Sequence, residues 1–397
     1  MLTRLHAKGF KSLIDLEVEF RPLTVLFGPN ASGKSNILEA VQALAIVGSA
    51  LSASERLGSS LRGYPLELFA FPPDGLPGLL RLPAAQLSLE ADLLASGHQL
   101  RYRADIELHP PTGRLVATGS LAELGPHGAP VLSVPGDIRP GGRVLVHTGA
   151  HYAVPAPADD RGSKLAGTCL RELGNWRTYY LDPRVAMRSA QPPSAVSDIG
   201  PSGESIAPYL HRLKAEHPKL FAAVRRTLSS LVPSVEDLDV DLDERRGELS
   251  VQIRQDGCDF SSRVISEGTL RVLALCAIAV NPWAKGLVAF EEPENGVHPR
   301  RLELIAQLFV SLATHGGRQV IATTHSARFC DAVLRLTDRD GDTAALVNVH
   351  RGAGGTLAKR VELPDSLFQD QELLQGLSSP TEDGLFEGLL MRGLLDE

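Results

Sequence analysis

The chain has 397 residues, of which 43% are hydrophobic and 22% charged, with a formal net charge of -7. That composition suits a large globular core and excludes a wholesale nucleic-acid coat, while leaving room for a local basic patch. Aromatics at 5% argue against a stacking platform for single strands. No apolar run approaches the ~20 residues needed to span a bilayer. Cys169, Cys258, Cys276 and Cys330 lack paired metal-ligand spacing and read as buried or free thiols. Met1 to Lys8 has no apolar signal core, so the expected setting is a reducing cytoplasm.

Residues 1–47 read as strand, strand, glycine-rich loop, helix. Alternation from Asp15 to Phe20 places Leu16, Val18 and Phe20 on one inward face. Leu23 to Phe27 reads as a short buried strand, and Asn36 to Ala45 as a helix with Ile37, Leu38, Val41 and Leu44 on its apolar side. Between them lies Gly28-Pro29-Asn30-Ala31-Ser32-Gly33-Lys34-Ser35, a glycine, four residues and Gly-Lys-Ser. Strand, glycine-rich loop and helix are the context that this phosphate-binding motif requires. Inward-pointing backbone N–H groups and the positive helix start bind phosphate oxygens. Gly28, Asn30, Ala31, Ser32 and Gly33 would supply that cradle. Lys34 would reach the β- and γ-phosphates, and Ser35 would ligate Mg²⁺.

Residues 48–80 are rich in Ser, Gly and Pro and read as irregular. Segments 85–94, 99–108 and 114–122 read as antiparallel strands. Residues 109–165 carry loops at Pro110-Pro111, at Pro140-Gly141-Gly142 and from Pro155 to Asp160. Helices are expected at 204–215 and at 218–231, where Pro218 suits a first turn. A hairpin of strands 235–242 and 248–254 follows. From Glu267 the alternation becomes α/β: helix 267–280, strand 286–291, helix 299–314, strand 319–323 and helix 326–335. Strands 344–350 and 356–363 and a helix at 384–394 complete the chain. There is no internal repeat and no sustained heptad.

Three further segments carry chemistry. Gly286 to Phe290 is an apolar strand that ends in Glu291-Glu292-Pro293-Glu294. An acid at such a strand end holds Mg²⁺, and a neighbouring acid orients or deprotonates the attacking water. Glu291 is assigned to the metal and Glu292 to the water. Ser266-Glu267-Gly268-Thr269 precedes an apolar helix; Ser266 is either a plain N-cap or part of a second anion site with Gly268. Val320 to Thr324 is a strand whose polar tip carries His325, placed where a γ-phosphate sensor belongs. Asp338, Asp340 and Asp342 read as a solvated loop rather than a nuclease site. His211, Arg212, Lys214, His217, Lys219, Arg225 and Arg226 form a basic run, followed by Glu236, Asp237, Asp239, Asp241 and Asp243.

On Gly28 to Asn36, Ser266 to Arg271, Glu291 to Pro299 and Thr324-His325-Ser326, the chain resembles the ABC-type ATPase superfamily. The branch is that of SMC, RecF and OLD proteins, and the nearest likeness is to stand-alone prokaryotic predicted AAA-type ATPases. Pro-Asn inside the loop and Asn36 after Lys-Ser are typical of it. Tyr179 to Pro183 and Asp198 to Gly203 match its middle region more loosely. The resemblance implies an α/β class with α+β elaborations: an ABC-type P-loop head with an antiparallel β lobe and an inserted helical lobe. The head would comprise 1–47 and 260–363, the insertion 48–259 and a helical tail 364–397. It further implies ATP and Mg²⁺ as ligands and an ATP-dependent homodimer, in which Ser266 touches the nucleotide of the other copy. Asn295 to His298 would lie at the seam. DNA, or a separately encoded effector nuclease, would be the partner, and no membrane is implied. The implied activity is ATP hydrolysis by Lys34, Glu292 and His325 in DNA repair or anti-phage defence. The alternative is an ATP-gated scaffold that holds and releases an effector nuclease or toxin. Two departures stand out: Glu291 replaces the usual Asp, and Glu267 replaces a glycine of the transporter signature. Gln86 is a weak candidate for the Q-loop glutamine, and Arg56 for an arginine near the nucleotide.

Overall fold

The computed structural model describes residues 1–49, 53–125, 128, 130–134, 137–139, 143–147, 153–155, 160–298, 301–337 and 342–361. The expected helix 384–394, the tail 364–397, Pro140 to Gly142, residues 156–159, Pro299 and the aspartates at 338 and 340 lie outside these residues. The chain divides into two compact units. The first is Met1–Trp176 with Ala345–Glu362; the second, among the described residues, is Arg177–Ala344.

The first unit opens with β1 (Leu2–Phe10), β2 (Leu13–Glu19), β3 (Leu23–Phe27) and helix α1 (Lys34–Ser49). Helix α2 (Ala53–Ser60), a 3₁₀ turn and helix α3 (Gly75–Leu80) follow, so the expectation of irregular chain over 48–80 is corrected. The glycines and prolines that suggested loop instead punctuate short helices: Pro65 opens the 3₁₀ turn. Long strands β4 (Ala85–Ala95), β5 (His98–His109) and β6 (Arg114–Leu124) come next, then short strands β7 (Pro130–Val134), β8 (Asp137–Arg139), β9 (Arg143–His147) and β10 (Ala153–Pro155). These four short strands were not expected.

β1 and β2 join β4 to β7 in one antiparallel sheet of order β2-β1-β4-β5-β6-β7. Strict alternation makes the sheet two-faced. In β5, Leu100, Tyr102, Ala104, Ile106 and Leu108 are at most 1% exposed, while the residues between them face outward. Helix α1 packs against β1, β4, β5 and β6 and is itself flanked by α2 and α4 (Asp160–Gly174). It is therefore apolar nearly all round, with Ile37, Leu38, Ala40, Val41, Ala43 and Leu44 fully buried. Helix α4 was not expected, and Gly162, Gly167 and Gly174 weaken its intrinsic helical signal. Its spacing was nonetheless helical: Leu165, Ala166, Cys169, Leu170 and Leu173 are buried on one face.

The second unit begins with β11 (Arg177–Tyr179) and contains α5 (Ile206–Glu216), α6 (Pro218–Leu231), β12 (Val235–Asp243), β13 (Glu248–Gln255), β14 (Cys258–Ser261) and α7 (Glu267–Ala279). Then come β15 (Leu287–Glu291), α8 (Leu302–Thr314), β16 (Gln319–Thr324) and α9 (Ala327–Leu336). β12 to β14 form an antiparallel meander against which α5 and α6 pack. β11, β15 and β16 run parallel, as the expected α/β alternation requires. Phe290 of β15 stacks between Tyr179 (5.4 Å) and Phe309 (4.7 Å), which joins these strands to α8. β17 (Ala344–Gly352) and β18 (Gly355–Arg360) return to the first unit, where β17 lies between β3 and β18.

One buried cation ties the second unit together. Arg318, 6% exposed, precedes β16 and donates to the carbonyls of Ile278 (2.6 Å), Asn281 (2.6 Å) and Ala284 (2.7 Å). It thereby seats the end of α7 and the approach to β15. Replacing it with Met strands three buried acceptors, so Arg318→Met is expected to lose roughly 3 kcal/mol or more of unfolding free energy. Urea denaturation followed by circular dichroism measures this, and a loss under about 1 kcal/mol would contradict the assignment.

Candidate functional site

In the first unit the phosphate-loop residues lie between β3 and α1, as expected. The loop carries positive φ at Gly28 (147°), Ala31 (63°) and Gly33 (110°). Glycine is required at two of these on contact grounds as well. A Cβ on Gly28 would fall 2.1 Å from the Val349 carbonyl oxygen, and one on Gly33 would fall 2.1 Å from Thr356 Oγ1. Lys34 is 5% exposed, and its Nζ donates to the carbonyls of Gly28 and Pro29, both at 2.8 Å. The ammonium is thus curled over the loop by the loop's own oxygens. Ser32 is 2% exposed and its hydroxyl is buried without a hydrogen-bond partner. Ser35 is half-buried in the first turn of α1, and Asn30 and Ala31 are exposed. Asn36 points its amide Nδ2 to Ser12 Oγ at 2.7 Å.

Behind this loop lies an ion cluster that sequence reasoning missed. Glu39 of α1, 1% exposed, pairs with Lys11 and with Arg62. Arg56, considered for a nucleotide role, is exposed on α2. Gln86 lies on β4 and bonds to Glu107 at 2.9 Å.

In the second unit the register of β15 with β16 pairs Glu291 with Thr323. Two parallel strands therefore end level, and the residues just past them are neighbours. Glu292 has φ of +44°, unusual for a residue with a Cβ. Its N–H donates to the Thr323 carbonyl (3.1 Å) and hydroxyl (3.2 Å), which holds the turn. Its Oε1 lies 3.3 Å from His325 Nδ1, and the two side chains are 28% and 51% exposed. The structure thus brings together Glu292 and His325, which the sequence placed on separate motifs.

Glu294 is 6% exposed, accepts a hydrogen bond from the Thr324 hydroxyl, and leaves Oε2 unpartnered. Burial pushes its carboxyl above the ordinary value, against the Thr324 bond that favours ionisation. No role had been assigned to it, although the acid stands within the quoted motif.

Ser266 is the N-cap of α7: its Oγ accepts from Thr269 N–H at 3.1 Å and lies 2.7 Å from Thr269 Oγ1. A Cβ on Gly268 would fall 2.5 Å from the Gly296 carbonyl oxygen. Close approach of Asn295 to His298 to the start of α7 therefore demands the glycine. Arg271 of α7 donates to the carbonyls of Glu292 (3.1 Å) and Leu181 (3.4 Å), and burial lowers its pKa. Arg188 holds the segment before Ser266, donating to Ser262 O (3.1 Å), Ile265 O (2.7 Å) and Arg263 O.

The basic run does not stand free. Arg225 pairs with Asp237, Lys214 with Asp239, and Arg212 with Glu216 at 2.9 Å. Arg212 also lies over the Trp283 ring, 4.2 Å from its centroid. Alternation along β12 buries Leu238 and Val240 and keeps Asp237, Asp239 and Asp241 out of the core.

Two family models match. One, described as "AAA domain, putative AbiEii toxin, Type IV TA system", covers residues 175–331, and the other, an "AAA domain", covers residues 4–64. The OLD nuclease of Thermus scotoductus is 24% identical over 370 residues, 88% of this chain and 64% of that protein. The DNA replication and repair protein RecF of Acaryochloris marina is 49% identical over 49 residues, 12% of this chain and 13% of that protein. The chain therefore spans less than two thirds of these relatives' lengths. The crystal structure of an Smc head bound to the C-winged helix domain of ScpA superposes with a TM-score of 0.54 at 16% identity, over 92% of this chain and 99% of that one. The fold is that of an SMC head. The chain is thus similar to AAA-domain, OLD, RecF and SMC-head proteins. Among the described residues no helix is long and apolar enough to cross a membrane.

The raised Glu294 carboxyl gives a pH signature. A carboxyl with a higher pKa folded than unfolded takes up protons on folding, so its contribution to stability falls as pH rises above the ordinary value of 4.5. Glu294→Gln removes that penalty. The variant's melting temperature should exceed the wild type's by a gap that widens as pH rises above 4.5. A gap independent of pH would contradict burial of the acid.

Proposed function

We propose that this chain is a Mg²⁺-dependent ATPase that binds ATP at an interface between two copies and hydrolyses it to ADP and phosphate. The observation that carries this reading is the Glu292–His325 pair at the level ends of two parallel strands, together with a complete phosphate loop. The loop fits a polyphosphate. Two glycine positions admit no Cβ, Ser32 offers a buried free hydroxyl, and Lys34 is already desolvated. Ser35 and Glu291 would hold Mg²⁺, whose chemistry when bound is to neutralise phosphate charge; hydroxyl and carboxylate oxygens suit that hard cation.

Lys34 would exchange its two carbonyl acceptors for phosphate oxygens, a charge-assisted bond in place of a neutral one. Glu292 would take a proton from the attacking water. His325, whose Nδ1 lies 3.3 Å from Glu292 Oε1, would orient that carboxylate and present its other ring nitrogen to the γ-phosphate. Ser266 and Gly268, at the start of α7, would meet the nucleotide held by the other copy. Glu291 in place of Asp would suit slow turnover, since its carboxylate reaches one methylene further from the strand end.

DNA repair or anti-phage defence is the proposed setting, on the names of the OLD and RecF relatives. A second reading is an ATP-gated scaffold that holds and releases a separate effector nuclease or toxin. Internal neutralisation of the basic run favours it, since three of those cations already have carboxylate partners.

Lys34→Ala should abolish ATP binding in calorimetry; wild-type affinity would refute the loop assignment. Glu292→Gln should keep binding, lower turnover by about 100-fold or more and accumulate an ATP-dependent dimer in size-exclusion chromatography. Unchanged turnover would remove Glu292 from the mechanism. Adding duplex DNA to the same columns separates the settings. Salt-sensitive co-elution supports action on DNA, and its absence with the trapped dimer favours the scaffold.

A further inference from the structure

The phosphate loop is held from behind by a residue far away in sequence. Thr356, the second residue of β18, is 3% exposed. Its Oγ1 donates to the Ser32 carbonyl at 3.0 Å and lies 2.7 Å from Ser12 Oγ. Ser12 Oγ in turn accepts from Asn36 Nδ2 at 2.7 Å, and the Ser12 carbonyl accepts the Thr356 N–H at 2.9 Å.

The ends of this chain of bonds set its direction. An amide NH₂ only donates and a carbonyl only accepts. The two hydroxyls between them must therefore each accept once and donate once, running Asn36 to Ser12 to Thr356 to Ser32. All four groups lie in the first unit. The last bond acts on a planar trans peptide, in which C=O and the following N–H point in opposite directions. Fixing the Ser32 carbonyl toward Thr356 therefore turns the Gly33 N–H to the opposite side of the loop. Gly33 has φ of +110°, and its missing Cβ is the space that Thr356 Oγ1 occupies. A glycine there is free to rotate in both directions, so an outside group has to choose its orientation.

We infer that Thr356 is a positioning residue for phosphate binding: its hydroxyl selects the peptide orientation that presents the Gly33 N–H to the nucleotide. This rests on the nucleotide-binding reading above. It requires that loss of the hydroxyl weaken affinity even when the packing of the side chain is kept. Val matches Thr in shape and lacks only the hydroxyl, whereas Ser keeps the hydroxyl and lacks only the methyl.

The test uses the full chain and calorimetric titration with Mg·ADP, which reports the loop without turnover. Thr356→Val is expected to weaken binding by about tenfold, because a buried carbonyl loses its donor and the peptide is released. Thr356→Ser is expected to stay within about threefold of wild type. Should Thr356→Val fail to fold, Thr356→Ala compared with Thr356→Ser isolates the same hydroxyl, with weaker Mg·ADP binding expected for Ala. Wild-type affinity in a folded Thr356→Val, or equal affinity of Thr356→Ala and Thr356→Ser when that pair stands in for it, overturns the inference. So does an equal loss in Thr356→Val and Thr356→Ser, which would assign the effect to packing. A wild-type chain that binds no Mg·ADP overturns the nucleotide reading itself, and is distinct from a failure confined to the variants.

Discussion

Level pairing of β15 with β16 is the constraint on which the Glu292–His325 pair depends. Parallel strands share a direction, so both present their C-terminal ends at one edge. With Glu291 opposite Thr323, the next residues of each strand leave the sheet side by side. A shift of one residue would send Glu292 and His325 to opposite faces. The register is guarded on several sides. Phe290 is clamped between two rings, Arg318 seats the chain entering the strands, and Thr323 takes the Glu292 N–H with both of its oxygens.

Guanidinium groups recur as backbone anchors. Arg188, Arg271 and Arg318 direct their hydrogen bonds to carbonyls rather than to carboxylates. Each gathers oxygens that turns and helix ends leave without partners. The planar fork suits this work, since it reaches several acceptors at fixed angles. The segments so held are the entry to α7, the turn bearing Glu292 and the exit of α7, the parts of the second unit whose position matters most for chemistry. Salt bridges do the opposite job on α5 and α6, where Asp239 and Asp237 of β12 quench Lys214 and Arg225, cations that would otherwise attract a polyanion.

Much of this was legible in the chain because the signals are local. The phosphate loop, the apolar strand ending in paired glutamates and the serine before α7 are contiguous motifs, and each folds as its neighbours dictate. The long strands β4 to β6 announce themselves by period-two alternation. What stayed hidden is non-local. Nothing near Thr356 marks it as a neighbour of Gly33, and nothing near Glu294 says that its carboxyl is buried against Thr324. Helix α4 was obscured by its glycines, although its buried residues keep a helical spacing. The pairing of Lys214 and Arg225 with Asp239 and Asp237 was half visible: acidic residues follow the run closely, but which cation meets which carboxylate is set by tertiary packing.

The bond from Thr356 to Ser32 joins residues 324 positions apart. Synthesis on the ribosome delivers the glycine-rich segment long before its support, 324 positions further on. A nascent chain therefore has the motif long before it has the shape. Maturation of the loop waits on strand pairing of very high contact order, a slow event in which chaperones have time to intervene.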